Sequence, residues 1–131
     1  MEAILLTLMY FGLAILIVII GLVIFEFMTN QYKDWDEIKN GNQAVALSIT
    51  GKIIGICIVL AFSIYNSAQL MDTLIWGAVG VVLQLIAYVL FELLTRKFSV
   101  QAELKKGNIS VGIISLGVSI GLAFVIGASI T

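Results

Sequence analysis

Two glutamates and one lysine are the residues of this chain best suited to chemistry. Glu26 and Glu92 each follow a phenylalanine near the C-terminal end of a long apolar run. A helix end of that polarity disfavours negative charge, yet the carboxylate is placed there twice. Each Glu is either an interfacial carboxylate, solvated or paired with Lys39, Lys105 or Lys52, or a cation or proton site at the mouth of a helix bundle. Lys52 is the only charge deep within an apolar run. It lies roughly 12 Å past the start of its helix at 1.5 Å per residue. Its stem can snorkel back to the interface, and a charge inside a membrane is otherwise a functional suspect. Glu26, Glu92 and Lys52 are therefore the candidate ion or interaction site.

The second constellation is a repeated Gly-Asn pair, Gly41-Asn42 and Gly107-Asn108. A short amphipathic segment precedes each, Asp34 to Asn40 and Ser99 to Lys106. Asp34 followed by Glu37 fits a capping box. Glycine commonly ends a helix because it accepts positive φ, and asparagine is a good first cap for the next helix. The pair thus reads as the junction of an interfacial helix and a membrane helix. An anion site at the exposed helix N-terminus, for a lipid phosphate, is the functional alternative.

Other chemistry is poorly supplied. The 131 residues include no His and a single Cys57, set in an apolar run and expected as a small buried hydrophobe. Disulfides, metal sites and thiol–imidazole catalysis have no residues to build on. With no nucleophile–base pair to identify, neither an enzyme nor a bound cofactor or metal is expected. A net charge of −1 supplies no basic field for nucleic acid.

The elements that position these residues are membrane helices. The composition is 61% hydrophobic and 11% charged, with mean hydropathy +1.14. A soluble domain carries about 25% charged residues, and one this small could not hide so much apolar surface. Four runs reach the roughly 20 residues needed to cross a bilayer: about 3–25, 44–65, 74–94 and 109–130. The first run lacks the basic segment of a signal peptide and is expected to be retained. Of seven Lys and Arg residues, Lys33, Lys39, Arg96, Lys97, Lys105 and Lys106 lie in the connections between spans one and two and between spans three and four. The positive-inside rule places both connections in the cytoplasm and both termini outside.

Shifted by 66 residues, the sequence matches itself without a gap. Phe25-Glu26 falls on Phe91-Glu92, Lys39 on Lys105, Gly41-Asn42 on Gly107-Asn108 and Ile54-Gly55 on Ile120-Gly121. Such periodicity signals duplicated units, here residues 1–66 and 67–131. The expected fold is all-α: four transmembrane helices in two parallel tandem helix–loop–helix repeats, with extracytoplasmic termini. Gly51/Gly55 and Gly117/Gly121 form GxxxG pairs that allow close helix approach. Ser115, Ser119, Ala123 and Gly127 recur every fourth residue on another face. Spans two and four are thus expected to form the central pair, with spans one and three facing lipid. The same GxxxG faces suggest a homo-oligomer joined through spans two and four. Gln84 is expected to make an interhelical hydrogen bond.

Two tandem units of Phe-Glu-x-x-Thr, a basic loop, Glu-x-Lys-x-Gly-Asn and a Gly-rich second helix resemble domain of unknown function 350 over nearly the whole chain. That family comprises small bacterial inner-membrane proteins, often with the two-helix unit in tandem. The resemblance implies architecture and location and supplies no catalytic residues. Members that occur beside phage-shock-protein-A-like envelope-stress components point to membrane maintenance. The expected function is an oligomeric scaffold or accessory protein that holds a peripheral cytoplasmic partner, with Tyr32, Trp35 and Phe98 as contact residues. A small oligomeric ion channel or transporter using Glu26 and Glu92 is the alternative.

Overall fold

A computed structural model of the chain describes residues 2–28, 34–94 and 100–130, without the side chains of residues 34 and 92–94. Tyr32, Lys33, Arg96, Lys97 and Phe98 lie outside the described residues, as does the side chain of Glu92. Six helices follow in order: α1 (Glu2–Met28), α2 (Asp34–Lys39), α3 (Gln43–Tyr65), α4 (Leu70–Leu94), α5 (Val100–Lys105) and α6 (Ile109–Ser129). Among the described residues, α1, α3, α4 and α6 are each long and apolar enough to cross a membrane. Helix α4 begins at Leu70 rather than Leu74. The Asp72 carboxylate accepts the Gln69 backbone N–H at 3.3 Å, which satisfies one open donor of that first turn.

The short helices end where the Gly-Asn pairs stand. Gly41 and Gly107 take φ of 84° and 82°, a left-handed conformation that glycine adopts without steric cost. At the first pair the N–H of Asn42 reaches the Glu37 carbonyl (2.9 Å) and that of Gly41 the Ile38 carbonyl (2.9 Å). The second pair repeats this with Asn108 to Glu103 (3.0 Å) and Gly107 to Leu104 (3.0 Å). This is the Schellman closure of a helix. Each Asn then caps the next helix, its Oδ1 accepting from Val45 N at 3.2 Å or Val111 N at 3.5 Å. Glu37 is engaged by this junction, accepting from Asn42 Nδ2 at 3.0 Å.

Asn42 also ties the two junctions together. Its Nδ2 donates to the Leu104 and Lys105 carbonyls at 2.9 and 3.2 Å, which are end groups of α5. Asn42→Ala should therefore cost about 2 kcal/mol, the upper range for a lost cap. Asn108→Ala should cost about half of that, because its amide donates to Glu103 of the preceding helix, as Asn42 does to Glu37, but among the described residues no bond carries it across to the other junction. Reversible unfolding in detergent micelles would compare the two. Equal losses would show that the cross-junction bonds add nothing.

Helices α3 and α6 form the most extensive interface and run parallel. Facing pairs ascend together, from Ala44/Gly112 through Ser48/Ser115 and Gly51/Leu116 to Phe62/Gly127. Helices α1 and α4 run antiparallel to α3: Gly21 meets Ile56, Gly80 meets Val59, and Gly77 meets Leu60 and Ile17. The core between them is built of Ile17, Phe25, Ile56, Leu60, Val81 and Tyr88. A second cluster seals the loop end, where Val100 and Leu104 of α5 are fully buried against Ala44, Val45, Ile49 and Val111.

Helix α1 is the least enclosed of the four spans and α3 the most, with α4 and α6 alike between them. The second and fourth spans are thus the tightly packed pair expected of the sequence, although the fourth is as open on its outer side as the third. Cys57 lies exposed on the outer side of α3, not buried as its apolar surroundings suggest.

Of the glycines at fourfold spacing, the α3 pair packs within the chain. A Cβ on Gly51 would stand 2.8 Å from the Leu116 backbone, and one on Gly55 would strike the Gln84 amide. Their close approach is therefore taken up by α6 and α4, leaving nothing for a second chain. Gly117 and Gly121 do not pack: a Cβ there meets nothing within 4 Å. The inward face of α6 is instead the stripe of Ser115, Ser119, Ala123 and Gly127, continued by Gly112. The two stripes have the same period, and only the one that matches the contour of α3 is used.

Candidate functional site

The polar groups of the bundle interior gather on the facing sides of α3, α4 and α6. Lys52 comes from the middle of α3 and is 1% exposed. Its Nζ lies 5.1 Å from the centre of the Phe25 ring and 4.8 Å from that of Tyr88. Those rings, from α1 and α4, pack edge to face with centroids 5.7 Å apart. A desolvated ammonium gains about 2 kcal/mol from one well-placed aromatic face. The lysine is thus enclosed within the helix bundle instead of reaching outward to the interface. Antiparallel pairing of α3 with α1 and α4 brings Phe25 and Tyr88 to its level.

Glu26 follows Phe25 on the last turns of α1 and is half-buried. It lies one residue past Phe25 and two before the end of α1. The side chain of its counterpart, Glu92, falls outside the described residues.

One turn before Lys52, Ser48 faces Ser115 of α6, with Oγ atoms 3.2 Å apart and both side chains buried. Gln84 of α4 enters from the other side. Its Nε2 donates to the Ser119 carbonyl at 3.0 Å, which is the interhelical bond expected of it, and it is 3% exposed. Its Oε1 is buried and accepts no hydrogen bond among the described residues. The space for this amide exists because Gly55 carries no side chain. A cavity of about 10 Å³ adjoins Gln84, Ser115 and Ser119. That cavity accommodates about one water.

Sequence reasoning singled out Lys52 and Gln84 but missed Phe25, Tyr88 and Ser48 as their neighbours. Phe25 did carry a signal, being matched by Phe91 at the equivalent position. Tyr88 and Ser48 have none, because their role follows from which helices pair.

Outside the spans, the loop end carries the junction carboxylates. Glu103 Oε1 accepts from Asn108 Nδ2 at 2.9 Å, and Lys106 Nζ stands 3.4 Å from Oε2. The Asn108 hydrogen bond first, then Lys106, hold the Glu103 carboxyl below its ordinary value of 4.5. The stabilisation this gives is complete above that ordinary value and is lost as pH falls through the lowered one. Acid should therefore loosen the α5–α6 junction, and Glu103→Gln should flatten that acid limb by losing the same stabilisation at neutral pH. Amide exchange at Val111 between pH 3 and 7 would read it. An identical acid limb in the variant would assign the effect elsewhere. Among the described residues, no group of His, Cys, Asp and Glu is arranged to hold a metal ion.

Comparison with known proteins places the chain in context. The model of the family described as Domain of Unknown Function (DUF350) matches residues 1–130. The chain is 42% identical over 121 residues to the UPF0719 transmembrane protein YshE of Bacillus subtilis, covering 92% of this chain and 90% of that protein. It is 33% identical over 79 residues to the UPF0719 inner membrane protein YjfL of Escherichia coli, covering 60% of this chain and 59% of that one. No solved structure matches.

Proposed function

The chain belongs to the DUF350 family of membrane proteins, and from that premise we propose that it is a non-enzymatic, oligomeric scaffold or accessory protein in membrane maintenance. In this reading it lies in a bacterial inner membrane and holds a peripheral protein at the cytoplasmic leaflet. The observation that carries it is the built platform at the loop end. Helix α5 is anchored by the fully buried Val100 and Leu104, and Asn42 fastens the end of α5 to the start of α3. A platform pinned by core residues presents its charges in fixed positions, as docking requires. Lys105 and Lys106 are exposed there, and Trp35 is 54% exposed on α2.

The distribution of Lys and Arg supports placing this end in the cytoplasm and both termini outside. The matching junctions at Gly41-Asn42 and Gly107-Asn108 support two tandem units, residues 1–66 and 67–131. Replacing Lys105 and Lys106 with Glu, together with Arg96 and Lys97, should release a cytoplasmic protein that co-purifies with the membrane-extracted chain. Full recovery of that protein with all four charges reversed would sink the scaffold reading.

A small oligomeric ion channel or transporter is the second reading. It is favoured by the polar interior, in which Lys52, Ser48, Ser115 and Gln84 are all buried. Several copies would be needed, since one chain encloses so little space. Cation or proton flux in proteoliposomes, abolished by Glu26→Gln and Glu92→Gln in chains that still insert, would establish it. Silence from folded protein would remove it.

A further inference from the structure

The outer groove between α4 and α6 has a filled counterpart elsewhere in the chain. It holds about 550 Å³, and Phe91, Gly117, Val118, Gly121 and Leu122 are among its lining. A Cβ on either glycine would meet nothing within 4 Å. The residues 66 positions earlier are Phe25, Gly51, Lys52, Gly55 and Ile56, and all of them are buried. What buries them is the second half of the chain. Gly51 receives Leu116 and Ser119 of α6, Gly55 receives Gln84 of α4, and Phe25 packs on Tyr88. The groove of the first half is thus the core of the protein, while the equivalent groove of the second half lies open.

The inserting surface has a counterpart as well. Helix α6 packs on α3 through Leu116, Ala123 and Gly127. The residues 66 positions before these are Thr50, Cys57 and Ala61, all exposed. With Ile54 and Tyr65 they form one outward stripe of α3, spaced by three or four residues. In the first half the groove is used and the stripe is open. In the second half the stripe is used and the groove is open. The chain leaves over the two halves of a contact it has already made once.

We propose that the groove between α4 and α6 receives the exposed α3 stripe of a second copy, repeating between chains the contact that joins α3 to α6 within one. The proposal rests on the oligomeric reading and on the two tandem units, and it names the faces that meet. Because α3 and α6 run parallel, both copies span the membrane in the same sense. The short side chains of Thr50, Cys57 and Ala61 let one backbone approach Gly117 and Gly121 of the other, which is how membrane helices associate. The two halves also differ in a matched way. Val118 stands where the first groove has Lys52, and Leu22 stands where Tyr88 covers that lysine. An apolar groove is thus offered an apolar visitor. Helix α1 would accompany α3 as α4 accompanies α6. Its Ile15 is 44% exposed, whereas the counterpart Val81 is buried at Gly21. Unlike faces meet in such a contact, and each chain carries one of each, so copies can close into a ring. The contact forms between folded chains and adds nothing to the stability of chains dispersed singly in micelles.

The native Cys57 supplies the probe. Ala123 clusters with Val59 across α6 and α3, so the repeat sets Cys57 of one copy against Val125 of the other. Val125 is 60% exposed and tolerates substitution. The full chain carrying Val125→Cys, oxidised in its native membrane, should yield disulfide-linked oligomers. The parent chain should yield none, and neither should Val125→Cys combined with Cys57→Ala. Adding Gly121→Leu to Val125→Cys fills the groove and should abolish the linkage. Linked dimers of the parent chain would join α3 to α3, and linked dimers lacking Cys57 would join α6 to α6. Either result would overturn the proposal, as would linkage that Gly121→Leu leaves unchanged. The mass of the parent chain extracted in discs of native lipid separates the remaining failures. No linkage in a chain of oligomeric mass would overturn these faces and leave the oligomeric reading standing. No linkage in a monomer would overturn both.

Discussion

Gly112→Leu should unseat α6 from α3 and cost more than about 3 kcal/mol, beyond the usual range for an overpacked core side chain. A Cβ at Gly112 would lie 2.8 Å from the Ala44 carbonyl oxygen, 2.9 Å from its Cα and 3.3 Å from its carbonyl carbon. These are backbone atoms of a helix, and no rotamer change can move them aside. Ala44 is itself fully buried beneath α5, so α3 cannot yield without also disturbing Val100 and Leu104. Even Gly112→Ala should destabilise, although alanine recovers about 1 kcal/mol of helix propensity relative to glycine. Gly117→Ala and Gly121→Ala provide the contrast. They meet open space, so only the propensity gain acts, and each should be neutral or slightly stabilising. Unfolding in mixed micelles, followed by Trp35 and Trp76 fluorescence, would rank the four variants. A Gly117 or Gly121 variant as damaged as Gly112→Leu would mean that another chain packs on that face.

That contrast marks how far the sequence alone could be read. The four membrane helices were legible, because uninterrupted apolar runs of spanning length have few other stable solutions. The Gly-Asn junctions were legible too, since positive φ followed by a side-chain cap is local chemistry. The orientation of α6 was not. Its glycines and its serine–alanine stripe both recur every fourth residue, and either stripe allows close packing. Which one turns inward depends on the contour of α3, where Gly51, Gly55 and Ser48 must all find partners at once. The surroundings of Lys52 were hidden for the same reason. Phe25 and Tyr88 stand far from it in the chain and meet it only after two antiparallel helices have docked. An exposed Cys57 in a strongly apolar run has a related cause. In a membrane protein, apolar character marks the outside of the bundle as well as its core, so burial cannot be read from hydropathy.

Lys52→Ala should be the most damaging substitution at the polar interior, and Lys52→Met should separate its causes. Truncation to alanine removes a long stem from a site that is 1% exposed and leaves a cavity, which for side chains of this length costs about 2–5 kcal/mol. It also removes the ammonium from the faces of Phe25 and Tyr88, for a further loss of about 2 kcal/mol. Methionine keeps most of the volume and is flexible enough to pack against both rings. It also removes the need to desolvate a charge, and replacing buried charges by apolar groups of similar size is often neutral. Lys52→Met should therefore retain more than half of the stability that Lys52→Ala loses. If the two variants are equally unstable, the charge itself holds the bundle together, and Lys52 is then a structural cation. If Lys52→Met folds as well as the parent chain, stability gives no reason to keep a lysine inside the membrane. The charge must then serve the protein's activity, and flux or partner retention measured on that stable variant would show which.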